Sequence, residues 1–217
     1  MICGIDEAGR GPVIGPIVVA GVAIEDETPL LKLGLKDSKQ LTPSRREFLA
    51  KKIRELVSDY EIIIVPAEDI DDMRRTMTMN ELEVHIFRRI IEKLKPDICY
   101  VDAADVNDVR FGRNILKSLS FKPKIISKHK ADSIYPIVSA ASILAKTIRD
   151  KEVHKIAKEL EAKLDIPLGS GYPADPTTKN FLSTWLDRYG NLPPHVRRSW
   201  KTARNLLEEK QNRKLDV

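Results

Sequence analysis

The chain opens MICGIDEAGRGPVIGPIVVAGVAI, residues 1–24, and the order of its parts decides the fold. Met1 to Asp6 and Gly15 to Ile24 are apolar and rich in β-branched residues, as buried strands are. Between them lie Gly9, Gly11 and Pro12 and too little chain for a helix. Two strands joined without a crossover helix form a hairpin, so the sheet begins with an antiparallel pair.

Outward from this hairpin, strands and helices alternate. Thr42 and Pro43 supply an N-cap and a first-turn proline, and Phe48, Leu49, Lys52, Ile53 and Leu56 continue at helical spacing to about Ser58. Ile62 to Val65 reads as a short buried strand. Thr78 to Glu81 has the form of a capping box, and Met79, Leu82, Ile86, Phe87, Ile90, Ile91 and Leu94 recur at three and four until Pro96 stops the helix. Ile98 to Asp102 is a strand ending in a carboxylate, a helix about Gly112 to Leu119 follows, and Lys124 to Ser127 is a further strand. Ser133 is placed to cap a long helix from about Ile134 to Leu164, whose Ala- and Ser-rich first half must pack closely on the sheet. From Asp165 onward Pro167, Gly169, Gly171, Pro173, Pro176, Pro193 and Pro194 punctuate short helical pieces with no strand pattern. The expected organisation is an α/β body at 1–164 and a C-terminal helical extension at 165–217.

With 217 residues, 42% of them apolar and 32% charged, the chain can bury a core but not three domains. The longest charge-free stretch, Gly11 to Ile24, contains Gly15 and Pro16 and falls short of the roughly 18 residues that cross a bilayer. No membrane partner and no secretory signal are expected. Cys3 and Cys99, the two cysteines, sit in apolar runs and read as reduced core thiols of a cytoplasmic protein. The four histidines, His85, His129, His154 and His195, share no metal-ligand spacing. Nothing suggests a coiled coil, so a monomer is the default.

Gly9 to Gly15 faintly echoes a dinucleotide-binding loop, but that fingerprint needs a helix to start inside it, and Pro12, Pro16 and the β-branched Ile17-Val18-Val19 point to a second strand. The glycines read better as places where backbone amides approach a ligand closely. Beside them stand Asp6 and Glu7. Adjacent residues of an extended strand face opposite ways, so both can face one site only if the chain turns there. Taken singly, Asp102 reads equally as a strand-end surface acid and Asp132 as an ordinary helix cap. If their strands are neighbours, four carboxylates converge, and a hard divalent cation, Mg²⁺ or Mn²⁺, resolves their repulsion.

Asp6-Glu7-Ala8-Gly9-Arg10-Gly11-Pro12, Asp37-Ser38-Lys39-Gln40-Leu41, Val101-Asp102-Ala103, Ala131-Asp132-Ser133, Val138 to Lys146, Gly169 to Pro173 and Val196-Arg197-Arg198-Ser199-Trp200 together resemble the ribonuclease HII family of type 2 ribonucleases H. The series covers nearly the whole chain in order, and Ala103-Ala104-Asp105 is similar to the archaeal branch. The resemblance implies an RNase H-like fold, a mixed five-stranded sheet flanked by helices with a C-terminal helical extension. It implies Asp6, Glu7, Asp102 and Asp132 as a catalytic, metal-binding set, with two metal ions. Gly9, Arg10 and Gly11 would contact a ribonucleotide's 2′-hydroxyl, largely through main chain, Tyr172 would pack on its sugar, and Lys39, Asn80 and Lys146 would hold the nucleic-acid backbone. In one helix from Asp132, Lys146 would lie on the order of 20 Å along the axis, out of reach of the reacting phosphate.

The activity so implied is divalent-metal-dependent endonucleolytic cutting of RNA/DNA hybrids and of ribonucleotides embedded in duplex DNA, leaving 3′-hydroxyl and 5′-phosphate ends. The alternatives are an RNase H-like nuclease of DNA junctions and a non-catalytic nucleic-acid binder. The net charge of +5 is concentrated at one end. Between His195 and Lys214 stand Arg197, Arg198, Lys201, Arg204, Lys210, Arg213 and Lys214 against Glu208 and Glu209, which suggests a basic arm that grips duplex phosphates.

Overall fold

The computed structural model describes residues 1–35 and 41–215, with side chains as far as residue 212 in the last helix. Five strands form one sheet in the order β3-β2-β1-β4-β5. β1 (Ile2–Ala8) and β2 (Ile17–Ile24) pair antiparallel, from Ile2 opposite Ile24 to Ala8 opposite Val18, and this is the hairpin expected from residues 1–24. β3 (Asp59–Val65) lies on the outer side of β2. β4 (Ile98–Asp102) runs parallel to β1, and β5 (Lys124–Lys128) runs parallel to β4. The mixed sheet flanked by helices is the fold class the resemblance implied.

The helices begin where local chemistry places them. α1 (Thr28–Lys32) follows the hairpin, and α2 (Pro43–Leu56) is capped by the Thr42 hydroxyl, which accepts from the Arg45 amide. α3 (Ala67–Met73) follows Pro66. At the head of α4 (Met79–Leu94) the capping box is complete: Thr78 accepts from the Glu81 amide, and the Glu81 carboxylate accepts from the Thr78 amide at 2.7 Å. α5 (Asp108–Lys117) is capped by Asn107.

One expectation fails at Pro136. Ser133 does not cap a long helix; α6 (Ala131–Ile134) ends, Tyr135 is extended at φ −113° and ψ 118°, and α7 (Pro136–Leu164) starts afresh. A proline disfavours helical geometry in the residue before it and fits the first turn of a new helix. Lys146 therefore belongs to a helix separate from the one that carries Asp132, and a distance along one shared axis does not apply.

Packing divides the chain into two compact units. The first comprises Met1–Ala8, Val18–Ile64 and Met77–Ile148. Its strands β1 and β2 are buried on both faces, and two glycines make that possible. A methyl group on Gly4 would stand 2.5 Å from the carbonyl carbon and oxygen of Ile137 in α7, and one on Gly21 would collide with the Ile90 side chain of α4. Beyond α4, Phe87 meets Phe111 of α5 edge-to-face at 5.4 Å.

The second unit comprises Gly9–Ile17, Val65–Thr76 and Arg149–Val217. It has its own core, in which Ile156, Leu160 and Leu164 of α7 pack with Phe181, Leu182 and Trp185 of α8 (Pro176–Tyr189) and with Val13, Ile14, Val196 and Ala203. α9 (Lys201–Leu215) is tied to α8 by Lys210, whose ammonium donates to the Leu186 carbonyl and pairs with Asp187 at 3.1 Å. Arg197 is fully buried. Two of the seven bases counted towards a phosphate-gripping arm thus serve the unit's interior instead. Among the described residues, no helix is long and apolar enough to cross a membrane.

Neither clash can be relieved by a flexible side-chain end, because Gly4 faces backbone and Gly21 faces the Cγ2 of a buried β-branched residue on a helix. Gly4→Ala and Gly21→Ala are each expected to lower stability by about 2–3 kcal/mol, measured by chemical denaturation.

Candidate active site

Asp6 stands near the end of β1, and Asp102 is the last residue of β4. The parallel register sets Ile5 opposite Val101, so the next residue along each strand is an acid at the same level of the central pair. The Asp6 carboxylate accepts the Glu7 amide at 2.7 Å and the Ser142 hydroxyl from α7. Asp102 accepts the Ala131 amide at 3.4 Å, which draws the head of α6 over the end of β4. Asp132 is the second residue of α6, buried, and accepts the Ser133 hydroxyl at 3.3 Å.

One oxygen from each of Asp6, Asp102 and Asp132 lies within 4.8 Å of the others. Burial, then the negative charges of Glu7 and Asp102, push the Asp6 carboxyl well above the ordinary carboxylate range. Three hard, anionic oxygen donors in a buried cluster suit Mg²⁺ or Mn²⁺, which take carboxylate ligands and remove the repulsion. Glu7 is placed differently. β1 runs straight through it to Ala8, with Glu7 opposite Val19, so no turn brings it round to the face of Asp6. It is half-buried and outside the group of three, although its charge is felt at Asp6.

The glycine-rich segment belongs to the second unit, where it is laced to two other segments. The Val13 amide donates to the Gly171 carbonyl, the Arg197 amide to the Val13 carbonyl and the Gly15 amide to the His195 carbonyl. Gly9 takes φ +89°, and a Cβ there would lie 2.6 Å from the Pro16 carbonyl oxygen, so the fold itself requires glycine. Gly11 is under no such demand, because a Cβ would make only ordinary contact, 3.5 Å from Cε1 of Tyr172. The Tyr172 ring is 42% exposed, and the Arg149 guanidinium lies 5.6 Å from its centroid.

Of the expected backbone-binding residues, Lys39 lies outside the described residues. Asn80 heads α4 and donates its side-chain amide to Asp105. Lys146 is half-buried on α7. Asp105 was not singled out as a site residue; it is chelated by Arg110, which with the Asn107 amide holds its carboxyl at about 2. Arg149 is marked by no motif in the sequence, and Arg197 is marked there only as part of a motif and of the basic arm. A signal for Arg149 existed, since it falls in helical phase with Ala145, Ile156 and Leu160, a stripe that is otherwise apolar.

A mixed sheet in this order, with acids gathered at the ends of its two central strands, defines an RNase H-like fold carrying a carboxylate centre. The family model for ribonuclease HII matches residues 3–203. Ribonuclease HII of Thermococcus sibiricus is 52% identical over 216 residues, covering 97% of this chain and 93% of its own length. That of Methanosarcina mazei is 48% identical over 219 residues, covering 96% and 98%. The crystal structure of ribonuclease H2 from Pyrococcus horikoshii superposes with a TM-score of 0.89 at 43% identity, covering 97% of this chain and 98% of that one. The chain belongs to the ribonuclease HII family, endonucleases that hydrolyse RNA in RNA/DNA hybrids.

Because the three acids repel one another, removing one charge should relieve the cation-free protein. Asp6→Asn or Asp102→Asn is expected to raise the melting temperature in thermal denaturation with chelator present.

Proposed function

We propose that the chain cuts the RNA strand of RNA/DNA hybrids and also cuts duplex DNA at single embedded ribonucleotides, in a reaction that needs Mg²⁺ or Mn²⁺ and leaves 3′-hydroxyl and 5′-phosphate ends. The observation that carries this reading is the buried cluster of Asp6, Asp102 and Asp132, within 4.8 Å of one another. With Glu7, these residues would hold a pair of cations. Bound there, divalent cations supply a water of lowered pKa as nucleophile and neutralise charge on the departing 3′-oxygen.

The chain's own groups keep the carboxylates aimed. Ser142 and the Glu7 amide fix Asp6, and the Ala131 amide fixes Asp102, so ligand geometry is set before substrate arrives. Substrate choice falls to Gly9, Arg10 and Gly11, whose main chain reads the 2′-hydroxyl, the group that separates ribose from deoxyribose. The support is the contrast between the two glycines. Gly9 serves the backbone, whereas the room left at Gly11, in front of the Tyr172 ring, is room the fold does not need and a sugar can use. Lys39, Asn80 and Lys146 hold the nucleic-acid backbone, with Asn80 oriented by Asp105. The helical segment at 165–217, which carries Tyr172, binds substrate, and the protein acts in the cytoplasm as a monomer.

The test is a labelled DNA duplex with one ribonucleotide beside its all-DNA counterpart, each with Mg²⁺, Mn²⁺ or chelator. Cutting of the first alone, and with metal alone, is expected. Cutting of the all-DNA duplex points to a junction-type nuclease, binding without cutting points to a non-catalytic binder, and cutting in chelator overturns the metal assignment. Asp6→Asn and Asp102→Asn should bind hybrid but lose about 100-fold or more in kcat. Gly11→Ala should melt with the parent yet lose about tenfold or more in kcat/KM at a single ribonucleotide.

A further inference from the structure

Arg197 is a buried cation that binds main-chain carbonyls, with no carboxylate in its grasp among the described residues. Its Nε donates to the Gly15 carbonyl at 2.9 Å, Nη1 to the Arg10 carbonyl at 2.9 Å and Nη2 to the Gly9 carbonyl at 2.6 Å. Burial, with the like charge of Arg149 adding to it, pushes its pKa down to about 9, while the charges of Asp71 and Tyr172 act the other way. Its guanidinium lies 4.8 Å from the centroid of Trp200, whose Nε1 donates to the Gly11 carbonyl at 3.2 Å. Four carbonyls of the glycine-rich segment, at Gly9, Arg10, Gly11 and Gly15, are thus held by two side chains of one short stretch.

The peptide plane converts this into a consequence for recognition. In a trans peptide the carbonyl of one residue and the amide N–H of the next point in opposite directions. With the Gly9 and Arg10 carbonyls turned onto Arg197, the N–H groups of Arg10 and Gly11 are turned to the other side. A guanidinium is a rigid planar fork and can fix two successive peptide planes at once, which a single ammonium cannot do. An apolar residue of similar size could fill the space but would leave the carbonyls of Gly9, Arg10 and Gly15 without their donors, so what arginine supplies here is directed hydrogen bonding and not packing alone. Arg149 supports the same ensemble from the side. It lies 3.2 Å from where a Cβ on Gly9 would stand, its guanidinium faces the Tyr172 ring, and its Nη2 reaches the Ser170 carbonyl at 3.5 Å.

We infer that Arg197 is a positioning residue for ribose recognition, holding the amides of Arg10 and Gly11 in the direction that distinguishes a ribonucleotide from a deoxyribonucleotide. The inference rests on the proposed reading of Gly9 to Gly11 as the part that inspects the 2′-hydroxyl. It is tested in the full chain carrying Asp102→Asn, which binds without cutting, by measuring dissociation constants with Mg²⁺ for a duplex containing one ribonucleotide and for its all-DNA counterpart. Adding Arg197→Lys is expected to reduce the ratio between the two by about tenfold, the loss of one aligned hydrogen bond, with the all-DNA constant held within about twofold. A merely structural role would weaken both duplexes together and leave the ratio unchanged, and that result overturns the inference. If Arg197→Lys melts below the assay temperature, Trp200→Phe decides, since it leaves a smaller aromatic ring beside Arg197 and removes the donor to Gly11; a smaller fall in the same ratio supports the inference and an unchanged ratio overturns it. Gly11→Ala separates the two levels. If it leaves the ratio intact, the reading of the loop is wrong; if it abolishes the ratio while the Arg197 variant keeps it, the loop reads ribose and only the role of Arg197 fails.

Discussion

The register of β1 against β4 is the constraint on which the rest depends. Parallel pairing of Ile5 with Val101 brings the next residue of each strand, Asp6 and Asp102, to the same level of a buried sheet, where two like charges oppose the pairing that positions them. The remainder of the first unit resists that opposition. β1 is paired on both edges, by β2 and by β4, and is clamped between α7 at Gly4 and the side of the sheet where α4 packs on Gly21 of β2. A register slip of one residue would move every side chain of β1 to the other face and put Asp6 into the core, so the apolar alternation holds the repelling pair in place.

Buried charge appears in both units with opposite sign and opposite solution. The acids of the first are anionic oxygens with few donors, a set that a mobile cation completes. Arg197 of the second is a fixed cation that meets neutral main-chain carbonyls, so the charge is part of the scaffold. On the proposed reading the difference suits two tasks, since chemistry on a phosphate needs a centre that can load and release ions, whereas discrimination of one hydroxyl needs donors that do not move.

Local rules made much of this legible before any fold was seen. Thr78 and Glu81, Thr42 and Pro43, and the shortness of the stretch between Asp6 and Ile17 each act within a few residues, and each element they imply is present. The three acids could be suspected because each falls at the end of an apolar strand or the start of a helix, a position where an uncompensated carboxylate invites a reason. Arg197 was illegible for the converse cause. In the sequence it stands beside Arg198, Lys201 and Arg204, and a count of charges assigns it to a basic surface, whereas the carbonyls it meets, at Gly9, Arg10, Val13 and Gly15, lie far away along the chain. Glu7 could face the same way as Asp6 only through a turn at the glycines, and β1 instead continues to Ala8.

Pro136 shows how one backbone restriction finishes the site. Had α6 and α7 been a single helix, the direction of Asp132 would be dictated by an axis that must also lay Ile137 and Val138 against Gly4. The extended Tyr135 uncouples the two requirements. α7 can then sit as close to β1 as a glycine allows, while the four residues of α6 turn independently, tied to β4 by the Ala131 amide on Asp102 and closed by the Tyr135 amide on the Ala131 carbonyl. The third carboxylate therefore reaches the pair on β1 and β4 through a break in helical geometry, and that break follows from the absence of an N–H and the bulk of a ring at a single residue.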